Sequence, residues 1–198
     1  MQTSLFRRSR RNTLALALAS VCSVVPATVV AQIPGGEGVS WDALRQGAVV
    51  LFRHADAPGT GDPPGFRIDD CATQRNLGDE GRAQARRIGE RFRALAIPVG
   101  SVLTSQWCRC RDTAELAFPG RARQEPAFNS FFGERGREGS QTSAARTLLI
   151  DWRGQGALVV VTHQVNIQSL TGISPASGEG VVVRGTGKEL KVLGRLTP

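Results

Sequence analysis

Short runs of β-branched and other apolar residues alternate with amphipathic stretches along this chain. The apolar runs are bounded by glycine, proline or polar residues, which is typical of strands that lie inside a sheet. We predict strands at Ala48–Phe52, Ser101–Thr104, Leu158–Thr162, Gly180–Arg184 and Glu189–Leu196. Gly185, Thr186 and Gly187 predict a hairpin turn between the last two strands.

The amphipathic stretches between the strands predict helices. The plainest helix follows Gly78, because Ala85, Ile88, Phe92 and Leu95 recur at helical spacing while arginines fill the other face. We predict further helices at Trp41–Gln46, Arg109–Phe118, Thr142–Trp152 and Val165–Thr171, and we leave the Gly-rich, mixed segment 128–141 unassigned. Strands that alternate with helices predict an α/β domain with a mostly parallel central sheet and an antiparallel edge.

The first 31 residues are typical of a secretory signal peptide. Four arginines between positions 7 and 11 precede an apolar stretch that runs from Leu14 to about Val30 and ends in small residues. Ser, Thr, Pro and Cys interrupt this stretch, which disfavours a permanent membrane span. We predict a signal peptide over residues 1–31, a flexible lead-in over 32–40 and one domain over 41–198. The mature protein is expected to be exported, periplasmic or secreted, without a stable membrane anchor.

The charge balance favours an anionic small molecule as partner. The chain has 25 basic and 17 acidic residues, and the signal takes four of the basic ones, so the mature excess is +4. The positive residues are scattered arginines, with lysine only at Lys188 and Lys191. Because arginine forks match the oxygens of phosphate and carboxylate groups, we expect an anion pocket and no nucleic-acid partner. The oligomeric state is left open.

Three cysteines remain after signal removal, in a compartment that permits disulfides. Cys108 and Cys110 are too close in sequence to bridge comfortably, so Cys71 is expected to pair with one of them, and we take Cys110 as its candidate partner. A zinc site is disfavoured, because these cysteines form no CxxC pair and have no histidine nearby.

The chain has only two histidines, and each follows a predicted buried strand. His54 follows Arg53 after the first strand, and His163 follows the strand that ends at Thr162. Ligands of open α/β folds bind beyond the carboxyl ends of the strands, so the two imidazoles are candidates for one reaction centre. Arg109, at the start of a helix, can add a guanidinium and a helix N-terminus, which together suit a phosphate. The alternative is two unrelated histidines that cap strands.

Four ordered blocks of the chain resemble the histidine phosphatase superfamily, the phosphoglycerate-mutase-like proteins. They are Arg53-His54-Ala55, the stretch Arg75 to Ala85, the stretch Ser105 to Ala114, and Val161-Thr162-His163. The resemblance implies a three-layer α/β/α fold and a nucleophilic His54 that becomes a phosphohistidine. Arg53, Arg109 and His163 would then bind the transferring phosphoryl group, with no cofactor and no metal. The signal peptide and short chain also resemble small exported lipopolysaccharide-core heptose phosphatases, which implies a phosphorylated small molecule or glycan as substrate.

The chain departs from the family pattern at two places. Alanine replaces the usual glycine after His54, and Ser130 stands where many members carry the glutamate that protonates the leaving group. Glu134, Glu138 or Asp56 could replace that general acid, and we take Glu134 as the candidate. A good leaving group would lessen the need for an acid.

Three other functions are compatible with these residues. A phosphomutase would use the same phosphohistidine, although export separates it from glycolytic intermediates. A degenerate module would bind phosphate or an anionic sugar without turnover. A third alternative is a metal hydrolase in which Asp56 or Asp69 completes a site with the two histidines.

Overall fold

The computed structural model describes residues 36–198, so the predicted signal peptide and the start of the predicted lead-in lie outside the described residues. The helices are α1 (Glu37–Arg45), α2 (Asp79–Ala94), α3 (Cys108–Ala117), α4 (Glu138–Ile150) and α5 (Gln164–Thr171). The strands are β1 (Val49–Arg53), β2 (Val99–Thr104), β3 (Ala122–Gln124), β4 (Ala157–Thr162), β5 (Gly180–Thr186) and β6 (Glu189–Leu196). Short 3-10 helices lie at Cys71–Thr73, Pro126–Phe128 and Arg135–Arg137.

The six strands form one sheet in the order β3-β2-β4-β1-β5-β6. The first four strands of this order are parallel, and β5 and β6 pair antiparallel at the edge, as the sequence predicted. The register aligns Arg53 on β1 with Thr162 on β4, while Thr104 on β2 aligns with Val161. The carboxyl ends of three adjacent strands therefore meet at one edge of the sheet.

Helices cover both faces of the sheet and give the three layers implied by the family resemblance. Side chains such as Leu44 of α1, Phe92 of α2 and Ala114 of α3 pack on one face. Leu149 of α4 and Ile167 of α5 pack on the other. Because the central strands are covered on both sides, β4 is an almost unbroken apolar run and is buried throughout.

Two predicted helices begin four residues too late. Helix α1 begins at Glu37 rather than Trp41, so residues 37–40 belong to the helix and not to a lead-in, and Ser40 is buried. Helix α4 begins at Glu138 rather than Thr142. The additional residues, 37–40 and 138–141, are mostly polar or glycine. They show no apolar residues at helical spacing, so the sequence pattern did not indicate that they are helical.

Helix α2 approaches the segment after β1 unusually closely. A Cβ atom at Gly81 would lie 1.9 Å from the carbonyl oxygen of Asp56, so glycine is the residue that this contact permits. The packing fixes the chain just after His54 against the first turn of α2. Within residues 36–198, no helix is long and apolar enough to cross a bilayer.

Candidate active site

Both histidines lie at the same edge of the sheet, as predicted. His54 follows β1 and His163 follows β4, and their ring centroids are 5.6 Å apart in an edge-to-face arrangement. The backbone N–H of His54 donates to the carbonyl of Thr162 at 2.9 Å, so the ladder between β1 and β4 continues one residue past β1. The parallel register of two adjacent strands therefore brings together two residues that are far apart in the sequence.

His54 has one ring nitrogen fixed and the other without a protein partner among the described residues. Its Nδ1 lies 2.8 Å from the carbonyl oxygen of Ala55, which can only accept, so Nδ1 carries the proton. The Nε2 lone pair is then available in the pocket that His54 lines. Burial, together with the charge of Arg109, lowers the pKa of His54 to about 3, so the ring is neutral at physiological pH.

His163 is held from both sides by hydrogen bonds. Its Nε2 lies 2.8 Å from the hydroxyl of Ser105, which follows β2, and its Nδ1 lies 3.4 Å from Arg109 Nη2. The Ser105 hydroxyl also contacts Asn129 Oδ1 at 3.3 Å, which extends the chain of bonds away from the pocket. Burial and the charge of Arg109 lower the pKa of His163 well below its usual value.

Arg109 lies in the first turn of α3 with its guanidinium against His163. Its side chain is 4% exposed, and its shortest contact is an ion pair with Asp62, 2.7 Å between Nη1 and Oδ1. Arg53, at the end of β1, donates from Nη1 to the carbonyl of Pro175 at 3.1 Å. The Nε atoms of both arginines are buried and have no hydrogen-bond partner among the described residues. Each guanidinium therefore keeps unused donor capacity.

These side chains line one open cavity of about 620 Å³. Arg53, His54, Arg109 and His163 all contribute to it, so the structure brings together the four residues predicted to act on phosphate. The segment from Ser130 to Arg135 and the loop around Asp62 form its other walls. Among the described residues, no group of three His, Cys, Asp or Glu side chains is arranged to hold a metal ion.

The three candidates for the general acid occupy different places. Glu134 lines the cavity, with its side chain 69% exposed and a 3.3 Å ion pair to Arg137. Glu138 lies in α4 and accepts a hydrogen bond from Ser169 at 2.9 Å, and neither it nor Asp56 lines the cavity. Of the three, Glu134 alone is therefore at the pocket.

The disulfide joins Cys71 to Cys108, so the prediction of Cys110 as its partner was wrong. Residues two apart on a helix point to nearly opposite sides, and here Cys108 faces the loop that carries Cys71. Cys110 is a buried free thiol whose Sγ lies 3.5 Å from His163 Nε2. Burial raises the pKa of that thiol to about 12, so it is un-ionised.

Sequence reasoning missed two residues of the site. Asp62 sits in a Gly- and Pro-rich loop after β1, and its partner Arg109 is 47 positions away. Asn129 lies in the segment that the pattern left unassigned and contacts Ser105. A weak signal existed for Asp62, because a loop that follows a buried strand at this edge is a common place for functional groups.

Comparisons with known proteins agree with the fold and with the first three of the four residue blocks, up to Ala114. Residues 49–134 match the family model of the histidine phosphatase superfamily, branch 1. No curated protein sequence matches the chain.

Several solved structures share the fold. The protein histidine phosphatase SixA complexed with tungstate is 17% identical, with a TM-score of 0.55, over 76% of this chain and 97% of that one. A protein from Thermus thermophilus is 22% identical, with a TM-score of 0.53, over 76% and 99%. Phosphoserine phosphatase from Entamoeba histolytica is 13% identical, with a TM-score of 0.54, over 76% and 97%. At these identities the likeness concerns the fold.

Proposed function

The chain belongs to the histidine phosphatase superfamily, and we propose that it is an exported phosphatase that hydrolyses a phosphomonoester through a phosphohistidine on His54. One observation carries the proposal: a neutral His54 with an available Nε2 lies in one pocket with Arg109 and His163. Phosphoryl transfer depends mainly on positioning and on positive charge around the phosphoryl oxygens, which this arrangement supplies.

In the first step, the Nε2 lone pair of His54 attacks phosphorus as the bond from phosphorus to the leaving-group oxygen breaks. In the second step, water attacks phosphorus, the bond from phosphorus to nitrogen breaks, and inorganic phosphate leaves. Arg53 and Arg109 bind the phosphoryl oxygens and stabilise the charge of both transition states. His163 lines the same pocket. Because Arg109 can only donate to its Nδ1, the proton of the neutral ring lies on Nε2 and is donated to the Ser105 hydroxyl. His163 would join the two arginines once a bound phosphoryl group replaces the Arg109 contact and Nδ1 carries the proton.

Glu134 is the proposed general acid for the leaving group. It lines the pocket wall, and the other cavity-lining carboxylate, Asp62, is paired with Arg109. Although burial alone would raise the pKa of Asp62, hydrogen bonds from Arg109 and Trp107 hold that pKa below its usual value. The Asp62 carboxylate is held in place by Arg109 and Trp107, whereas the exposed Glu134 side chain can turn toward a leaving group, so Glu134 is the carboxyl group left for this role.

The proposed substrate is a phosphorylated sugar or glycan met outside the cytoplasm. The open 620 Å³ cavity has room for a substrate whose leaving group is a bulky sugar or glycan. The signal-like residues 1–31 and the Cys71–Cys108 disulfide support export, since disulfides persist in oxidising compartments. When the full chain is expressed in a bacterium, the exported protein should begin at Gln32, which N-terminal sequencing checks.

A phosphate-binding module without turnover is the second candidate. Ser130 lines the pocket where many family members carry glutamate, and that substitution favours loss of catalysis. The two functions differ in whether a covalent intermediate forms.

Rapid quenching in alkaline detergent, which preserves a phosphohistidine, tests the proposal by trapping a phosphorylated protein. The wild type is mixed for milliseconds with acetyl phosphate or with p-nitrophenyl phosphate, and denatured protein is assayed for acid-labile, base-stable phosphate. We expect label in the wild type, none in His54→Ala, and full label in Asp69→Asn, which changes an exposed carboxylate outside the pocket. Absence of label and of turnover in the wild type would support the binding module. Label that persists in His54→Ala would overturn His54 as nucleophile.

A further inference from the structure

We propose that Asp62 is the positioning residue of the site, because its carboxylate fixes the orientation of the Arg109 guanidinium toward the phosphoryl group. The inference rests on the proposed function in taking Arg109 as a phosphoryl ligand. It assigns a role to a residue that the sequence analysis did not name as a candidate.

Asp62 supplies the shortest of the hydrogen bonds that hold the Arg109 guanidinium. Nη1 lies 2.7 Å from Asp62 Oδ1, and Nη2 lies 3.4 Å from Oδ2, so one carboxylate contacts both terminal nitrogens. The other contacts are a 3.5 Å bond to the carbonyl of Arg75 and the 3.4 Å bond to His163. Both are at the long limit for hydrogen bonds, so without Asp62 the guanidinium would be held only loosely.

Asp62 is itself held by donors from two other parts of the chain. Oδ2 accepts from Trp107 Nε1 at 2.9 Å, and Oδ1 accepts from the backbone N–H of Arg75 at 3.2 Å. Trp107 is further braced by Phe66, which stacks on it with ring centroids 5.0 Å apart. The carboxylate is therefore fixed before any ligand arrives, as a positioning role requires.

The loop that carries Asp62 is latched to the domain at several points. Arg75 donates from Nε to the carbonyl of Gly61 at 2.8 Å, and its Nη1 reaches the carbonyl of Ala57. The Cys71–Cys108 disulfide links the segment after the loop to the residue that precedes Arg109. The loop and the first turn of α3 are therefore held together at several points. This argues against the alternative in which the Asp62 carboxylate occupies the phosphate site and moves out when substrate binds.

The Asp62 carboxylate could act in two ways, and they predict different kinetics: it could compete with the substrate phosphate for Arg109, or it could hold Arg109 in the orientation that binds the phosphoryl group. A competing carboxylate lowers the affinity for phosphate, so its loss should lower KM and leave kcat unchanged. A positioning carboxylate orients the donors that bind the transition state, so its loss should lower kcat, while charge attraction keeps the substrate bound.

The test compares Asp62→Asn, Asp62→Glu and the control Asp69→Asn in the full chain with p-nitrophenyl phosphate. For Asp62→Asn we expect kcat to fall at least about tenfold while KM changes less than about threefold, since misplacing a donor costs transition-state binding. Asp62→Glu should recover part of kcat because it retains a carboxylate, and Asp69→Asn should match the wild type. Melting curves identify any variant whose loss comes from unfolding.

A crystal structure of Asp62→Asn provides a readout that does not depend on activity. The guanidinium of Arg109 should leave its wild-type position or lose a defined orientation. An unmoved guanidinium, or a lower KM with unchanged kcat, would overturn the inference. If the wild type forms no phosphoenzyme, the proposed function fails by itself, and the position of Arg109 in this variant still decides the role of Asp62.

Discussion

The floor and the rim of the pocket are built in opposite ways. The floor consists of His54, Arg109 and His163, which are 3%, 3% and 4% exposed and come from the ends of buried elements. The rim, residues 130–135, carries the exposed Phe132, with the Arg135 guanidinium 5.7 Å above its ring, and the exposed Glu134. Floor positions are fixed by buried hydrogen bonds, whereas rim side chains make surface contacts that stabilise little.

This difference separates recognition of the phosphoryl group from recognition of the leaving group. A rigid, buried floor orients charges against a tetrahedral group of fixed shape, and a low dielectric strengthens each of those contacts. An exposed rim can accommodate leaving groups of different shape. Changes to the floor should therefore alter every substrate alike, and changes to the rim should depend on the substrate.

The largest expected effect concerns the disulfide that anchors the floor. Replacing both Cys71 and Cys108 by serine opens a loop that spans a sequence separation of 37, which should lower the free energy of unfolding by about 3–4 kcal/mol. Urea unfolding measures this loss. A reducing agent should produce a similar loss in the wild type and none in the double variant. An equal free energy of unfolding for the oxidised and the reduced wild type would show that the disulfide does not stabilise this part of the pocket.

Arginine-to-lysine changes compare floor and rim directly. Arg109→Lys removes a planar fork from the floor and should lower kcat/KM about 100-fold, or about 3 kcal/mol, on all substrates. Arg135→Lys at the rim keeps the charge in a solvated place and should change kcat/KM less than about threefold. Steady-state kinetics with two unlike substrates measure both. Similar losses in the two variants would erase the distinction between the regions.

Acidic pH should lower the free energy of unfolding, because the two buried histidines of the floor are neutral in the folded protein and take up protons when it unfolds. The chain has two histidines, and both are on the floor. Because burial lowers the pKa of His54 from 6.5 to about 3, unfolded His54 takes up a proton at pH 5 while folded His54 stays neutral. Its stabilising contribution is complete above pH 6.5 and is lost as pH falls toward 3, with ~2 kcal/mol lost by pH 5. His163 acts in the same direction.

Urea unfolding between pH 7 and pH 5 checks this dependence. The wild type should lose stability across the range, and His54→Gln should lose less. A flat profile for the wild type would show that His54 is not held in its neutral form by the fold.

The smallest expected effect concerns the rim acid. Glu134→Gln should lower kcat/KM about tenfold, or ~1.4 kcal/mol, for an alkyl phosphate, whose leaving oxygen needs a proton. It should leave p-nitrophenyl phosphate nearly unchanged. Glu138→Gln, outside the cavity, is the matched control. Equal losses on both substrates would argue that Glu134 acts on the floor rather than on the leaving group.

Local patterns were sufficient for most of the fold. Periodic apolar positions located α2 at Asp79–Ala94, and apolar runs located β1 and β4 within one residue of their observed bounds. Strand β3 at Ala122–Gln124 was missed, because it is three residues long and two of them are Arg123 and Gln124. Its extended form depends on pairing with β2 rather than on its own composition.

The sequence by itself determined the α/β order and placed both histidines after strands, because burial on both faces of a sheet imposes a local apolar signature. Tertiary structure alone decided that Cys71 meets Cys108 and that Asp62 meets Arg109. These pairs depend on how α3 is rotated and how the loop after β1 folds back. The spacing of apolar and polar residues along the chain carries no information about these pairs, since they follow from the packing of distant segments against one another.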